Sequence, residues 1–196
     1  MEKRSLLGAV EMYVKNLFDT YHRPQLLYHN FAHTQQVVAH AYEISYHNRL
    51  DNDDLFIVVS AAWFHDTGYL FGDGGHHEEK SVQLMLEFLA AFPIEPATAE
   101  AITACILSTK MPAKPNSLLE KIICDADTYH LGTDTFKSLN KLVWQENESR
   151  LHTKLANQPV QTLRFLEVHR FYTPYCQYLL NAGKEKNIAW LKAQLQ

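Results

Sequence analysis

The sequence predicts an all-α, single-domain protein, and three observations carry that prediction. Apolar residues recur at spacings of three and four along almost the whole chain, as in amphipathic helices. No run alternates apolar and polar residues well enough to make a sheet strand. The 196 residues, 46% hydrophobic and 20% charged, suffice for one substantial core, and no repeat, low-complexity tract or linker divides them. One domain over residues 1–196 is therefore expected.

The elements follow in order. Val10, Tyr13, Val14, Leu17 and Phe18 mark a first helix, which should stop near His22-Arg23-Pro24 because proline cannot continue it. Tyr28-His29-Asn30 leads into a second helix from Phe31, with Val37, Val38, Ala41 and Ile44 as its buried stripe. His33 lies one turn before Val37 on that stripe and should face the interior. His40 and His47 lie at other angles and should be solvated. Asp51 to Asp54 offer N-caps for a third helix, whose apolar run from Leu55 to Phe64 ends at His65-Asp66.

Phe71 to Gly75 is a glycine-rich break, containing Gly72, Gly74 and Gly75. A fourth helix opens at His76-His77-Glu78-Glu79-Lys80-Ser81, with Val82, Met85, Leu86 and Leu89 on its inner face. Its first-turn acids suit the helix dipole. Pro93 and Pro96 bracket a turn before a fifth helix, Thr98 to Leu107, and Met111 to Asn116 is a loop. Leu118 to Cys124 opens a sixth helix that runs into Asp125-Ala126-Asp127. Phe136 to Leu155 and Leu163 to Leu180 are further amphipathic helices, and Ile188 to Leu195 closes the chain. Trp144, Phe165, Phe171, Tyr172, Tyr175 and Tyr178 are expected to cover the core, while Lys184 and Lys186 look solvated.

Composition narrows the function. A net charge of -4 gives no basic footprint for a nucleic-acid polymer. No apolar stretch is long enough to span a bilayer, and the amphipathic segment after Met1-Glu2-Lys3-Arg4 is not a signal-peptide core, so a cytoplasmic protein is expected. Cys105, Cys124 and Cys176 sit in apolar surroundings without CxxC spacing, which suits buried free thiols. A homo-oligomer is left open.

Four interior-facing positions stand out: His33, His65, Asp66 and Asp127. A buried charged pair such as His65-Asp66 is costly unless compensated, and a divalent metal compensates it well. The alternative is that His65 caps one helix and Asp66 the next element. Asp125 is the alternative to Asp127, and on a helix the two would point about 200° apart. Two imidazoles and two carboxylates neutralise a divalent ion and leave positions open for water and a substrate atom.

The order His, His-Asp, Asp resembles the HD superfamily of metal-dependent phosphohydrolases, most closely its small stand-alone bacterial members. The strings "YHNFAHT", "AAWFHDTGY", "HHEEKS", "ILSTKMP" and "ICDADTYHLG" carry the resemblance over about residues 28–132. It implies an HD-domain helical bundle completed by helices in residues 133–196. It implies that His33, His65, Asp66 and Asp127 are metal ligands, with Asp66 also catalytic. The cofactor would be a divalent ion, with Mn, Mg, Fe, Co, Ni and Zn not distinguished. The substrate would be a nucleotide or another small phosphorylated metabolite. The "HEExS" context marks His77 and Glu78 as pocket candidates. His29 and His130 are candidates for orienting a ligand or facing the pocket, and Lys80 and Lys110 for meeting phosphate as point charges. The segment from Phe71 to Lys80, with its glycines and helix N-terminus, is a candidate phosphate-binding element. Two other functional classes stay open. One is a di-iron oxygenase recruiting His76, His77 or His130; the other is a non-catalytic, metal- or nucleotide-binding regulatory module.

Overall fold

The structure, a computed structural model, describes residues 3–72 and 74–195. Among them are nine α-helices and no strand: α1 Lys3–Thr20, α2 Phe31–His47, α3 Asn52–Phe64, α4 His77–Leu89, α5 Pro96–Ser108, α6 Leu118–Asp127, α7 Phe136–Leu151, α8 Gln158–Val168 and α9 Pro174–Ala193. Two short 3-10 helices interrupt them, Thr67–Phe71 after α3 and Tyr129–Gly132 after α6. No described helix is long and apolar enough to cross a membrane.

Helix α3 is the axis of the molecule. Every residue from Phe56 to Phe64 is buried, as a helix that is apolar on all sides requires. It packs against α1, α2, α4, α5 and α6. Asp51 begins it by accepting hydrogen bonds from the amides of Asp53 and Asp54. Because α2 and α6 also touch one another, the ends of three helices meet in one place. One continuous core, from Leu6 to Leu191, surrounds them.

The C-terminal third departs from the expected boundaries. α7 stops at Leu151, and the span from Leu163 to Leu180 is two helices separated at His169–Thr173. Thr173 caps α9 with its hydroxyl, accepting from the Cys176 amide, and Pro174 occupies the first turn. An N-cap followed by proline is a strong start signal that apolar periodicity alone overran. α9 then runs to Ala193 without the expected gap before Ile188. It crosses the second 3-10 helix at two glycines. A Cβ on Gly183 would lie 1.9 Å from the Gly132 carbonyl oxygen, and one on Gly132 would lie 2.5 Å from Leu180 Cβ. Only backbone without side chains allows that approach.

Several smaller expectations need correction. α4 starts at His77, because His76 is the left-handed residue before it. Its inner face carries Leu84 rather than Leu86, which is 44% exposed. Tyr178 is 90% exposed and covers nothing. His40 is half-buried and stacked 3.7 Å from Tyr129, whereas His47 is exposed as expected but lies against Tyr175. Lys184 is buried and donates to the His169 carbonyl at 2.6 Å. The three cysteines are buried and free, as expected.

Candidate metal centre

The cluster is assembled by helix ends. Asn30 caps α2, its side-chain oxygen accepting from the His33 amide at 3.1 Å, which sets His33 in the first turn facing inward. His65 follows the last residue of α3 and donates from Nδ1 to the Ala62 carbonyl at 2.9 Å. That bond fixes the tautomer and leaves Nε2 as the free ligand atom. Asp66 begins the turn into the 3-10 helix, and Asp127 is the last residue of α6.

The four side chains converge. His33 Nε2 lies 3.4 Å from Asp66 Oδ2 and 3.3 Å from Asp127 Oδ1. His65 Nε2 lies 3.1 Å and 3.6 Å from the same two oxygens. One donor atom each from His33, His65 and Asp127 falls within a 4.8 Å group. Among the described residues, His33 Nε2, His65 Nε2 and Asp66 Oδ2 are buried without a hydrogen-bond partner. Unpaired buried polar atoms cost about 1–3 kcal/mol each and call for an explanation. Two imidazole nitrogens and two carboxylates converging in this way fit a divalent ion that takes nitrogen and oxygen ligands.

The electrostatics agree with that fit. Burial disfavours charge on all four groups, but each is rescued by the others. His33 is raised by the Asp127 and Asp66 carboxylates beside it, against the effect of burial. His65 is held well above its ordinary value, burial being outweighed by the Asp66 charge and by Asp127. Asp66 is held well below the usual carboxylate range, burial being outweighed by His65 and His29. Asp127 is lowered by His33 and His65, again against burial. The metal-free cluster thus stores protons on imidazoles beside ionised carboxylates, and a cation would replace those protons.

A second ring of residues supports the first. Ser81 Oγ donates to the His65 carbonyl at 2.7 Å and accepts from the Gly68 amide at 2.9 Å, pinning the chain on both sides of the doublet. Gly68 lets α4 come close, since a Cβ there would lie 2.0 Å from the His77 carbonyl oxygen. His77 Nδ1 donates to the Gly74 carbonyl at 2.9 Å, and its Nε2 faces Asp66 Oδ1 at 3.5 Å. Tyr69 stacks on both His29 and His77, with ring centroids 4.2 Å and 3.9 Å away.

His29 is not a loose loop residue. Its Nδ1 donates to Glu146 Oε1 at 2.5 Å, while Glu146 Oε2 accepts the amides of Tyr28 and His29 at 2.7 Å and 2.9 Å. Glu146, on α7, is 0% exposed, and these donors hold its carboxyl below the usual range against the effect of burial. Tyr28 lies with its ring 4.4 Å from that of His33, and its hydroxyl is hydrogen-bonded to His130 Nδ1 at 3.1 Å. Burial, then the His33 charge, pushes His130 down to about 4.

The remaining candidates separate clearly. Glu78 is buried beside His77, 3.4 Å from its Nδ1. Lys80 is bonded to Gln83 and lies over the Phe71 ring, and Lys110 is paired with Glu79 at the surface. Neither ammonium contacts the cluster, so the expected phosphate-binding role of that helix face rests on His77 alone. The His76 side chain is 84% exposed and pairs with Glu79, so it does not supply a further inward ligand. Asp125 points away from the cluster: its carboxylate accepts from the amides of Tyr172 and Thr173 and from the Thr173 hydroxyl, at 2.7–2.8 Å. It holds the break between α8 and α9, while Asp127 is the α6 aspartate grouped with His33 and His65. Glu146 is the residue that sequence reasoning missed. It continues the stripe Phe136, Leu139, Val143 at helical spacing, but it sits in a polar run that reads as solvated.

No family model matches the chain, and no curated protein matches it. Among solved structures it is similar to the crystal structure of a predicted HD superfamily hydrolase from an uncultured Thermotogales bacterium. The TM-score is 0.64 and the identity 19%, over 100% of this chain and 98% of the other. At that identity the likeness is one of fold.

Proposed function

We propose that the protein is a metal-dependent phosphohydrolase of the HD superfamily. The observation that carries this reading is the set of buried donor atoms without a hydrogen bond on His33, His65 and Asp66, delivered from the start of α2 and the end of α3 and completed by Asp127 at the end of α6. These four residues would hold one divalent ion. When bound, such an ion supplies an acidified water and a Lewis acid for a phosphate oxygen.

The chain's own groups supply the rest. Asp66 turns Oδ2 toward the imidazoles and Oδ1 toward His77, so one carboxylate both ligates and passes a proton outward. His77, fixed by Gly74 and Tyr69, binds a substrate phosphate oxygen. His29 forms a dyad with Glu146, whose short hydrogen bond orients the ring. It protonates the leaving-group oxygen, the role of a positioned general acid. The ligand set accounts for one metal, and His77 adds a single further nitrogen beside Asp66.

The test is metal analysis of the purified protein, then a screen of phosphate esters and nucleotides with Mn, Mg, Co, Ni and Fe. One divalent ion per chain and metal-dependent release of inorganic phosphate are expected. A fully metal-loaded protein that hydrolyses no phosphoester overturns the reading.

A further inference from the structure

A cavity of about 380 Å³ opens beside Asp127, His29 and His130. That size lies within the range of small-molecule pockets, roughly 300–1,000 Å³. Asp127 is the ligand most open to it, its side chain 20% exposed where those of His33, His65 and Asp66 are 1–7% exposed. The far walls come from α7 and α8: Phe136, Val143, Trp144, Phe165 and Leu166. They are aromatic or aliphatic. The polar groups there are already largely engaged. Trp144 Nε1 donates to Thr162 Oγ1 at 2.8 Å, and Thr162 donates to Asn140 Oδ1 at 3.3 Å. No lysine or arginine lines the cavity, and the two lysines nearest in sequence to the site motifs are turned to other partners.

We propose that this cavity receives the leaving group, and that the substrate is the phosphate monoester of an uncharged, mainly apolar group, aromatic by preference. This rests on the phosphohydrolase reading above. On the α7 and α8 side of the cavity a second phosphate would be buried against apolar walls with no lysine or arginine to pair it, which is costly. An aromatic ring would instead meet Trp144 and Phe165, side chains of the kind that attract rings in stacked or edge-on arrangements. Hydrolysis breaks the ester P–O bond. Water gives its oxygen to phosphorus, His29 gives its proton to the departing oxygen and regains one from the proton that water releases, leaving inorganic phosphate and a free alcohol or phenol.

The test uses the full chain loaded with Mn and titrated calorimetrically with methylphosphonate and benzylphosphonate. Benzylphosphonate should bind at least about tenfold more tightly. Phe165→Ala and Val143→Asp should each remove most of that preference while leaving methylphosphonate affinity unchanged, which also shows that the variants fold. Phenyl phosphate should exceed inorganic diphosphate in kcat/KM. Equal affinity for the two phosphonates, a preference that survives both variants, or a preference for diphosphate overturns the pocket assignment. A benzyl preference without turnover of any ester upholds the pocket and overturns the hydrolase. Failure of both phosphonates to bind the metal-loaded chain overturns both.

Discussion

Single residues divide into those that meet the cluster and those that hold it. His65→Ala and Asp66→Ala should each abolish bound metal and phosphate release while far-ultraviolet dichroism stays helical. Full metal occupancy in both variants would remove them from the ligand set. The two aspartates of α6 offer a sharper contrast. Asp127→Asn should weaken metal binding at least about tenfold. Asp125→Asn should act on the fold instead. It weakens three hydrogen bonds to the α8–α9 connection, at a cost of about 1.5–3 kcal/mol in denaturant unfolding, and spares metal affinity. The opposite ranking would show that the wrong carboxylate has been placed at the cluster. His33, His65, Asp66 and Asp127 could be singled out in the sequence because each sits at the inner end of an apolar stripe. Glu146 could not, because its burial depends on Tyr28 and His29, more than a hundred residues away.

At the level of elements, two close approaches fix how α9 and α4 meet the body. Gly183→Ala should destabilise by about 1–3 kcal/mol, since the added carbon would overlap the Gly132 carbonyl. Gly8→Ala, in α1, meets nothing within 4 Å and should stabilise by about 0.5–1 kcal/mol through helix propensity. Similar unfolding midpoints for the two variants would show that the crossing is looser than described. The first six helices were legible because apolar periodicity begins close to their starts, and α2, α3 and α6 are also capped there by Asn30, Asp51 and Ser117. The C-terminal helices were less so. There the periodic stripe runs on through His169–Thr173, where the Thr173 cap, Pro174 and tertiary bonds to Asp125 end one helix and begin the next.

For the whole molecule, pH should act in two opposed ways. His33 and His65 have raised values, so their ion pairs with the aspartates stabilise the metal-free chain fully below the unfolded value of about 6.5. That contribution is lost as pH rises through the raised folded values. Metal must displace those protons. The stabilisation conferred by a fixed concentration of Mn should therefore grow between pH 5 and pH 8, about, as read from thermal unfolding with Mn and with chelator. An increment independent of pH would show that the imidazoles are not the ligands. His169 works in the other direction. Burial, then Lys184, pushes it down to about 3, so the unfolded chain binds a proton that the folded chain refuses. Stability should fall by about 1.4 kcal/mol per pH unit at most once pH drops below about 6. A His169→Gln variant should show a shallower acid limb.

The grip of Glu146 on Tyr28 and His29 has a consequence for synthesis. Translation delivers all four cluster residues by position 127, but the carboxylate that orients His29 follows nineteen residues later. The side chains of His33, His65, Asp66 and Asp127 are thus all synthesised before the carboxylate that fixes the His29 ring, and the hydrogen bonds of Tyr28 and His29 to Glu146 can close only once α7 has been made.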